Sequence, residues 1–180
     1  MDEEYFKYAR LNEPRELRPL MEKYGQDVWN YAYFLTKKHD AADDIFQDVF
    51  FKAYRHMDTF RGEASMKTWL LKIARNTAYT YRKSAFLRKM VLFGQTGPNR
   101  THPSAEDDFL REYTDDLWAV VLKLPVKYRE VLVLHARYDM AEADIAALLG
   151  LPPGTVKSRL HRARAKVTAL WKEEGGYERA

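Results

Sequence analysis

Lys72, Arg75, Asn76, Tyr79, Arg82 and Lys83 fall at i, i+3, i+4, i+7, i+10 and i+11, so a helix through them presents one polar stripe. These residue types bind; they do not break bonds. Cations follow a phosphate backbone, an aromatic ring stacks on a base, and an amide reads a base edge. The combination suits single-stranded DNA better than a bare phosphate patch would. Tyr79 stands open between stacking on a base and ordinary surface packing. A second stripe lies in "GLPPGTVKSRLHRARAKVTALW", Gly150 to Trp171. At ~100° per residue, Gly154, Lys157, Ser158, His161, Arg162 and Ala165 share one face, opposite Val156, Leu160, Ala163, Val167 and Leu170. No acid occurs from Gly150 through Lys172, against six Lys or Arg. A recognition helix needs this layout: an apolar back docked on its domain and a polar front near its N-terminus, open to the major groove.

Catalytic chemistry has one candidate cluster. His39, Asp43, Asp44 and Asp48 have the donor types of a hydrolytic metal site. No second group of His and carboxylate completes it, so no metal and no cofactor is expected. The absence of cysteine removes thiolate ligands and cysteine nucleophiles.

The elements that must position these stripes are all helical. Leu17, Met21, Tyr24, Val28, Tyr31 and Leu35 define one amphipathic helix. Ile45, Val49, Ala53, Met57 and Phe60 define the next, with Asp40 as its expected N-cap. "FRGEAS" breaks the pattern, and a third helix is expected from about Lys67 to Lys83, with Trp69, Leu70, Ile73 and Thr77 facing inward. Phe50, Phe51 and Phe60 are expected in the core, as is Trp69. "LFGQTGPNRTHPSAED" reads as a linker, and Leu117, Val120, Val121 and Leu124 start a new register. After Pro125 comes the helix "VKYREVLVLHARY". Then "EADIAALLGLPPGTVKSRLHRARAKV" gives helix, turn, helix, with Gly150 as the stop and Pro153 in the first turn of the second helix. The fold class is all-α, two small helical domains joined by a flexible linker, the C-terminal one holding a helix-turn-helix. The expected ranges are residues 1–91, a linker at 92–112, and 113–174.

Charge is segregated along the chain. Eight Lys or Arg and no acid lie between Ala64 and Ala105, while acids crowd Asp40 to Asp48 and Glu106 to Asp116. The net charge of +4 agrees with an anionic partner. The N-terminal "MDEEYFKYARLNEP" lacks the apolar region of a secretory signal, and no apolar run is long enough for a membrane span, so a cytoplasmic protein is expected.

"DIAALLGLPPGTVKSRLHRARAKV", preceded by "LPVKYREVLVLHARY", resembles the C-terminal domain of bacterial extracytoplasmic-function sigma factors. "DAADDIFQDVFFKAYRHMDTF" and "FRGEASMKTWLLKIARNTAYTYRK" resemble that family's promoter-melting domain. Two such blocks in this order are far more specific than either alone. The resemblance spans roughly Leu17 to Leu170 and implies a promoter-specificity subunit of RNA polymerase, not an enzyme.

Its implied minus-10 contacts are Arg61, Lys67, Lys72, Arg75, Asn76, Tyr79, Arg82 and Lys83, with Arg61 to Lys67 as a loop and Asn76 at the flipped base. Its implied minus-35 contacts are Gly154, Thr155, Lys157, Ser158, His161 and Arg162; His161 stands equally well as a solvent-facing residue. Asp44, Gln47 and Asp48 match positions that bind the clamp of polymerase's largest subunit. The flap of the second-largest subunit and an anti-sigma factor are further implied partners, as are duplex and single-stranded promoter DNA. One departure concerns the first helix of the turn motif, where Ala141 stands in place of Ser or Thr and leaves Asp139 as the expected cap. The competing reading is a stand-alone helix-turn-helix regulator that needs no polymerase.

Overall fold

The structure is a computed structural model that describes residues 17–93 and 116–173. Among the described residues every regular element is helical. The chain divides into two compact units, with the division after Arg100.

In the N-terminal unit, α1 (Leu17–Thr36), α2 (His39–Arg55) and α3 (Met66–Phe93) pack against one another, with a 3₁₀ turn at Met57–Thr59 after α2. Leu20, Val28, Tyr31 and Leu35 from α1 meet Ile45, Val49, Phe50 and Ala53 from α2 and Met66, Leu70, Leu71, Ala74 and Ala78 from α3, all buried. Fully burying one large apolar side chain is worth about 1.5–3 kcal/mol, so this shared core, more than helix propensity, holds the three helices. Gly25 lets α1 and α2 approach closely: a Cβ there would lie 3.1 Å from the Phe46 ring.

Several expectations about this unit change. The second helix ends at Arg55, so Met57 lies in the 3₁₀ turn and Phe60, half-buried, lies beyond it rather than in the helix and core. Asp40 is not the N-cap of α2. The helix starts at His39 after an extended Lys38 with no side-chain cap, and Asp40 sits in the first turn, where its charge still favours the positive helix end. The cap that does form is at α3, where the Thr68 N–H donates to Ser65 Oγ at 3.1 Å. The third helix also runs well past Lys83, to Phe93, so Leu92 and Phe93 belong to it. The rest of the expected linker at 92–112 lies outside the described residues. Finally, Phe51 is 56% exposed, because Ile45, Val49 and Ala53 carry the core face of α2 and Phe51 points away from it. Its ring lies under the Arg55 guanidinium at 5.1 Å.

The C-terminal unit consists of α4 (Asp116–Lys123), α5 (Val126–Ala136), α6 (Glu142–Leu149) and α7 (Pro153–Glu173). Arg129 is buried on α5, and its Nη1 donates to the carbonyls of Leu122 at 2.6 Å and Leu124 at 3.2 Å. A buried cation thus caps the C-terminal end of α4, where helix carbonyls lack partners and carry partial negative charge. At the helix-turn-helix, Gly150 adopts φ 64° and ψ 40°, and the Leu151 N–H reaches back to the Ala146 carbonyl at 3.0 Å. This is a Schellman-type stop, and its left-handed backbone is the reason for a glycine there. α7 then begins at Pro153, as expected. Asp139 does not cap α6: it has φ 52°, and the residue before the helix is Ala141, with no side-chain cap.

Candidate nucleic-acid interface

α3 carries its polar stripe as the spacing required. Lys72, Asn76 and Lys83 are exposed, and Arg75, Tyr79 and Arg82 are half-buried. The Tyr79 ring is engaged by its own neighbours, with the Arg75 guanidinium 4.7 Å and the Arg82 guanidinium 5.7 Å from its centroid. These cation–π contacts hold two guanidiniums on the stripe. Lys67 is tied elsewhere: its Nζ lies 2.8 Å from an Asp27 carboxylate oxygen, pinning the start of α3 to α1. Arg61 is exposed in the loop ahead of α3, next to Gly62, whose φ is 69°.

Beside Asn76 a cleft of about 380 Å³ opens, lined by Lys52, His56, Thr59, Trp69, Ile73, Asn76, Thr77 and Thr80. Lys52 Nζ donates to Thr77 Oγ1 at 2.9 Å, bracing α2 against α3 along one wall. Thr80 Oγ1 is occupied by the Asn76 carbonyl at 3.0 Å. The side-chain amide of Asn76 makes no hydrogen bond among the described residues. Trp69, expected in the core, is half-buried and forms the aromatic part of this cleft, with Phe60 at 5.5 Å supporting it from the loop side. Sequence periodicity assigned no role to His56 and Thr59. Their place in the cleft depends on how the end of α2 turns against α3, which periodicity does not encode.

On α7, Val156, Leu160 and Ala163 are buried, while Gly154, Lys157, Ser158, His161, Arg162 and Ala165 are exposed and Thr155 is half-buried. Ser158 Oγ donates to the Thr155 carbonyl at 3.0 Å, which holds its hydroxyl close to the helix surface. No side-chain atom lies near Gly154, so a surface can approach the backbone there. Tyr128, on the neighbouring α5, was not foreseen. Its phenol is held below the usual tyrosine pKa chiefly by hydrogen bonding with the Arg162 side chain, an effect that burial opposes and that the charges of Lys127 and Arg162 reinforce.

The acidic residues of α2 differ in their partners. Asp43 accepts a hydrogen bond from Trp29 Nε1 at 2.7 Å, and His39 packs 5.2 Å from the Trp29 ring and 4.9 Å from the Tyr33 ring. Two of the four candidate metal ligands are therefore built into the packing of α1 on α2. Asp44, Gln47 and Asp48 are exposed, with Asp48 only loosely paired to Lys52 at 3.7 Å. Among the described residues no three His or acidic side chains gather as a metal site, and no helix is long and apolar enough to cross a membrane.

A three-helix unit and a helix-turn-helix unit each present a cationic helix face, the layout of a protein suited to binding DNA. Residues 20–86 match sigma-70 region 2, and residues 114–167 match sigma-70 region 4. Sigma factor SigL of Mycobacterium tuberculosis is 31% identical over 158 residues, covering 86% of this chain and 88% of that protein. RNA polymerase sigma factor YlaC of Bacillus subtilis is 29% identical over 154 residues, covering 84% and 89%. Sigma factor RpoE of Bartonella quintana, solved in complex with the anti-sigma factor NepR, superposes with a TM-score of 0.71 at 26% identity, covering 88% of this chain and 98% of that one. The chain belongs to the sigma-70 family, in its extracytoplasmic-function group, and serves as an RNA polymerase sigma factor. A stand-alone regulator would leave the match over residues 20–86 without a purpose.

Proposed function

We propose that the two units divide promoter recognition between them. The exposed front of α7 reads the duplex minus-35 element through Gly154, Thr155, Lys157, Ser158 and His161, with Arg162 beside them. The N-terminal unit holds core polymerase through Asp44, Gln47 and Asp48, whose exposed acids suit a basic partner. It also captures one unstacked base of the melted minus-10 element. The cleft beside Asn76 carries this reading: an unoccupied amide, an aromatic wall at Trp69 and three threonine hydroxyls surround a space open to a nucleobase. Unstacking a base costs a few kcal/mol, and a lined cleft offsets that cost with stacking and edge hydrogen bonds. Arg61, Lys72, Arg75, Arg82 and Lys83 would then follow the strand's phosphates, and Tyr79 would orient two of those cations. Lys67 contributes mainly by fixing α3.

Each unit alone would bind DNA weakly, and attachment to polymerase supplies the effective concentration. The work is done in the cytoplasm with no bond-breaking step in this chain. The RpoE relative was captured with an anti-sigma factor, and an equivalent inhibitor is proposed for this chain. Asn76→Ala tests the strand-capture role. With reconstituted holoenzyme and a library randomised at the minus-10 element, the variant should change base preference there while core retention stays intact. Unchanged preference would refute it.

A further inference from the structure

One ammonium group in the N-terminal unit stands between two sites. Lys52 Nζ donates to Thr77 Oγ1 at 2.9 Å, on the wall of the cleft beside Asn76, and lies 3.7 Å from Asp48 Oδ2, one turn back on α2. Among the described residues that line this cleft, Lys52 is the only Lys or Arg. Asp48 has no other ion pair among the described residues. The two contacts differ in strength. Thr77 is buried, so its hydroxyl holds the ammonium against a fixed wall. The Asp48 carboxylate is largely exposed and lies beyond hydrogen-bond distance, so water and salt screen the pair. An ammonium has three donors, and Thr77 takes one. The others are divided between the carboxylate on one side and whatever enters the cleft on the other. One charge cannot serve both fully: a hold on Asp48 weakens Lys52 as a donor to the cleft, and loss of that hold strengthens it.

We infer that Lys52 couples docking on polymerase to strand capture. This rests on reading Asp48 as a docking residue and the cleft as the base pocket. A basic partner that takes the Asp48 carboxylate withdraws it from Lys52 and, being cationic, repels the ammonium towards the cleft. Lys52 then donates to an acceptor on the captured base or strand. The cleft therefore binds more weakly in the unattached chain than in holoenzyme, and a filled cleft in turn leaves Asp48 open to its partner. Reciprocity of this kind holds for any coupling between two binding events. Its size is that of an exposed ion pair, about two- to fivefold in affinity. Only a side chain has to move, because α2 and α3, which carry all three residues, pack against each other in the shared core.

The test uses the full chain, alone and with core polymerase in excess, and a fluorescent single strand carrying the minus-10 sequence that the holoenzyme selects from a random pool. Affinities are read by anisotropy at low salt. Lys52→Met keeps the aliphatic stem and removes the charge. It should leave the unattached chain near wild type and weaken the holoenzyme about two- to fivefold. Asp48→Asn should raise the affinity of the unattached chain by about the same factor, a gain that misfolding cannot produce. In the Lys52→Met background that gain should vanish. The coupling is overturned if Lys52→Met weakens chain and holoenzyme alike, as a plain cleft contact would, or leaves both at wild type. It is overturned equally if Asp48→Asn gains as much without Lys52 as with it. Two controls separate these results from failure of the underlying reading. A shuffled strand bound by wild-type holoenzyme as tightly as the selected one would sink the cleft as a base pocket. Wild-type core retention by Asp48→Lys would sink the docking role of Asp48, and the coupling falls with either.

Discussion

Trp69 and Tyr79 exchange the roles their residue types suggest. Helical spacing puts Trp69 on the inner side of α3, yet it is half-buried and walls the cleft beside Asn76. Tyr79 sits on the outer stripe, yet its ring is held by Arg75 and Arg82. Spacing identifies which face a residue is on; it does not show that the inner face of α3 runs out of covering protein where α2 ends. The polar stripe itself was legible, because Lys72, Asn76 and Lys83 need only the geometry of one helix. The cleft needed two helices and a turn, so His56, Thr59 and Lys52 were not. Trp69→Ala should therefore destabilise the open promoter complex by about 1–3 kcal/mol, the usual loss on removing an aromatic that stacks on a base. Complex lifetime after heparin challenge measures this, with core retention unchanged as the control. Wild-type lifetime would return Trp69 to a purely structural role.

Helix ends show the same division between local and tertiary causes. The stop at Gly150 and the start at Pro153 follow from backbone chemistry, and both were readable from "GLPPG". Gly150→Ala meets no steric obstacle, so its cost is only that of a left-handed non-glycine residue, about 1 kcal/mol in thermal unfolding. The caps were read less well. Asp40 and Asp139 are the right residue types but lie two positions after and two positions before the respective cap positions, while Ser65 takes the role at α3. The Arg129 cap on α4 was out of reach of any local pattern, since donor and carbonyls belong to different helices. Arg129→Ala leaves the Leu122 and Leu124 carbonyls without their donor and should cost about 2–4 kcal/mol. Hydrogen exchange should show faster exchange confined to residues 116–173; exchange spread evenly through the chain would contradict a local cap.

Across the whole molecule, charge segregation is the organising feature. The acids of α2, the cationic stripe of α3 and an α7 with no acid before Glu173 make three surfaces of different character. The family resemblance rested on two motif blocks and their order along the chain. What the order could not supply was the distribution of work within each surface, because that depends on which cations already have internal partners. Lys67 has Asp27, whereas Lys72 and Lys83 stand exposed. Asp48→Lys, a reversal on the exposed α2 face, should lower retention by core polymerase while both units stay folded, as judged by circular dichroism. The most direct test of the account is transcription in vitro, by core polymerase with and without this chain, over a library randomised at both promoter elements. The account predicts that the chain confers initiation from templates sharing two separated elements, and that Asn76→Ala changes preference at the downstream element alone. A core enzyme that neither retains the chain nor gains promoter selectivity from it would contradict it.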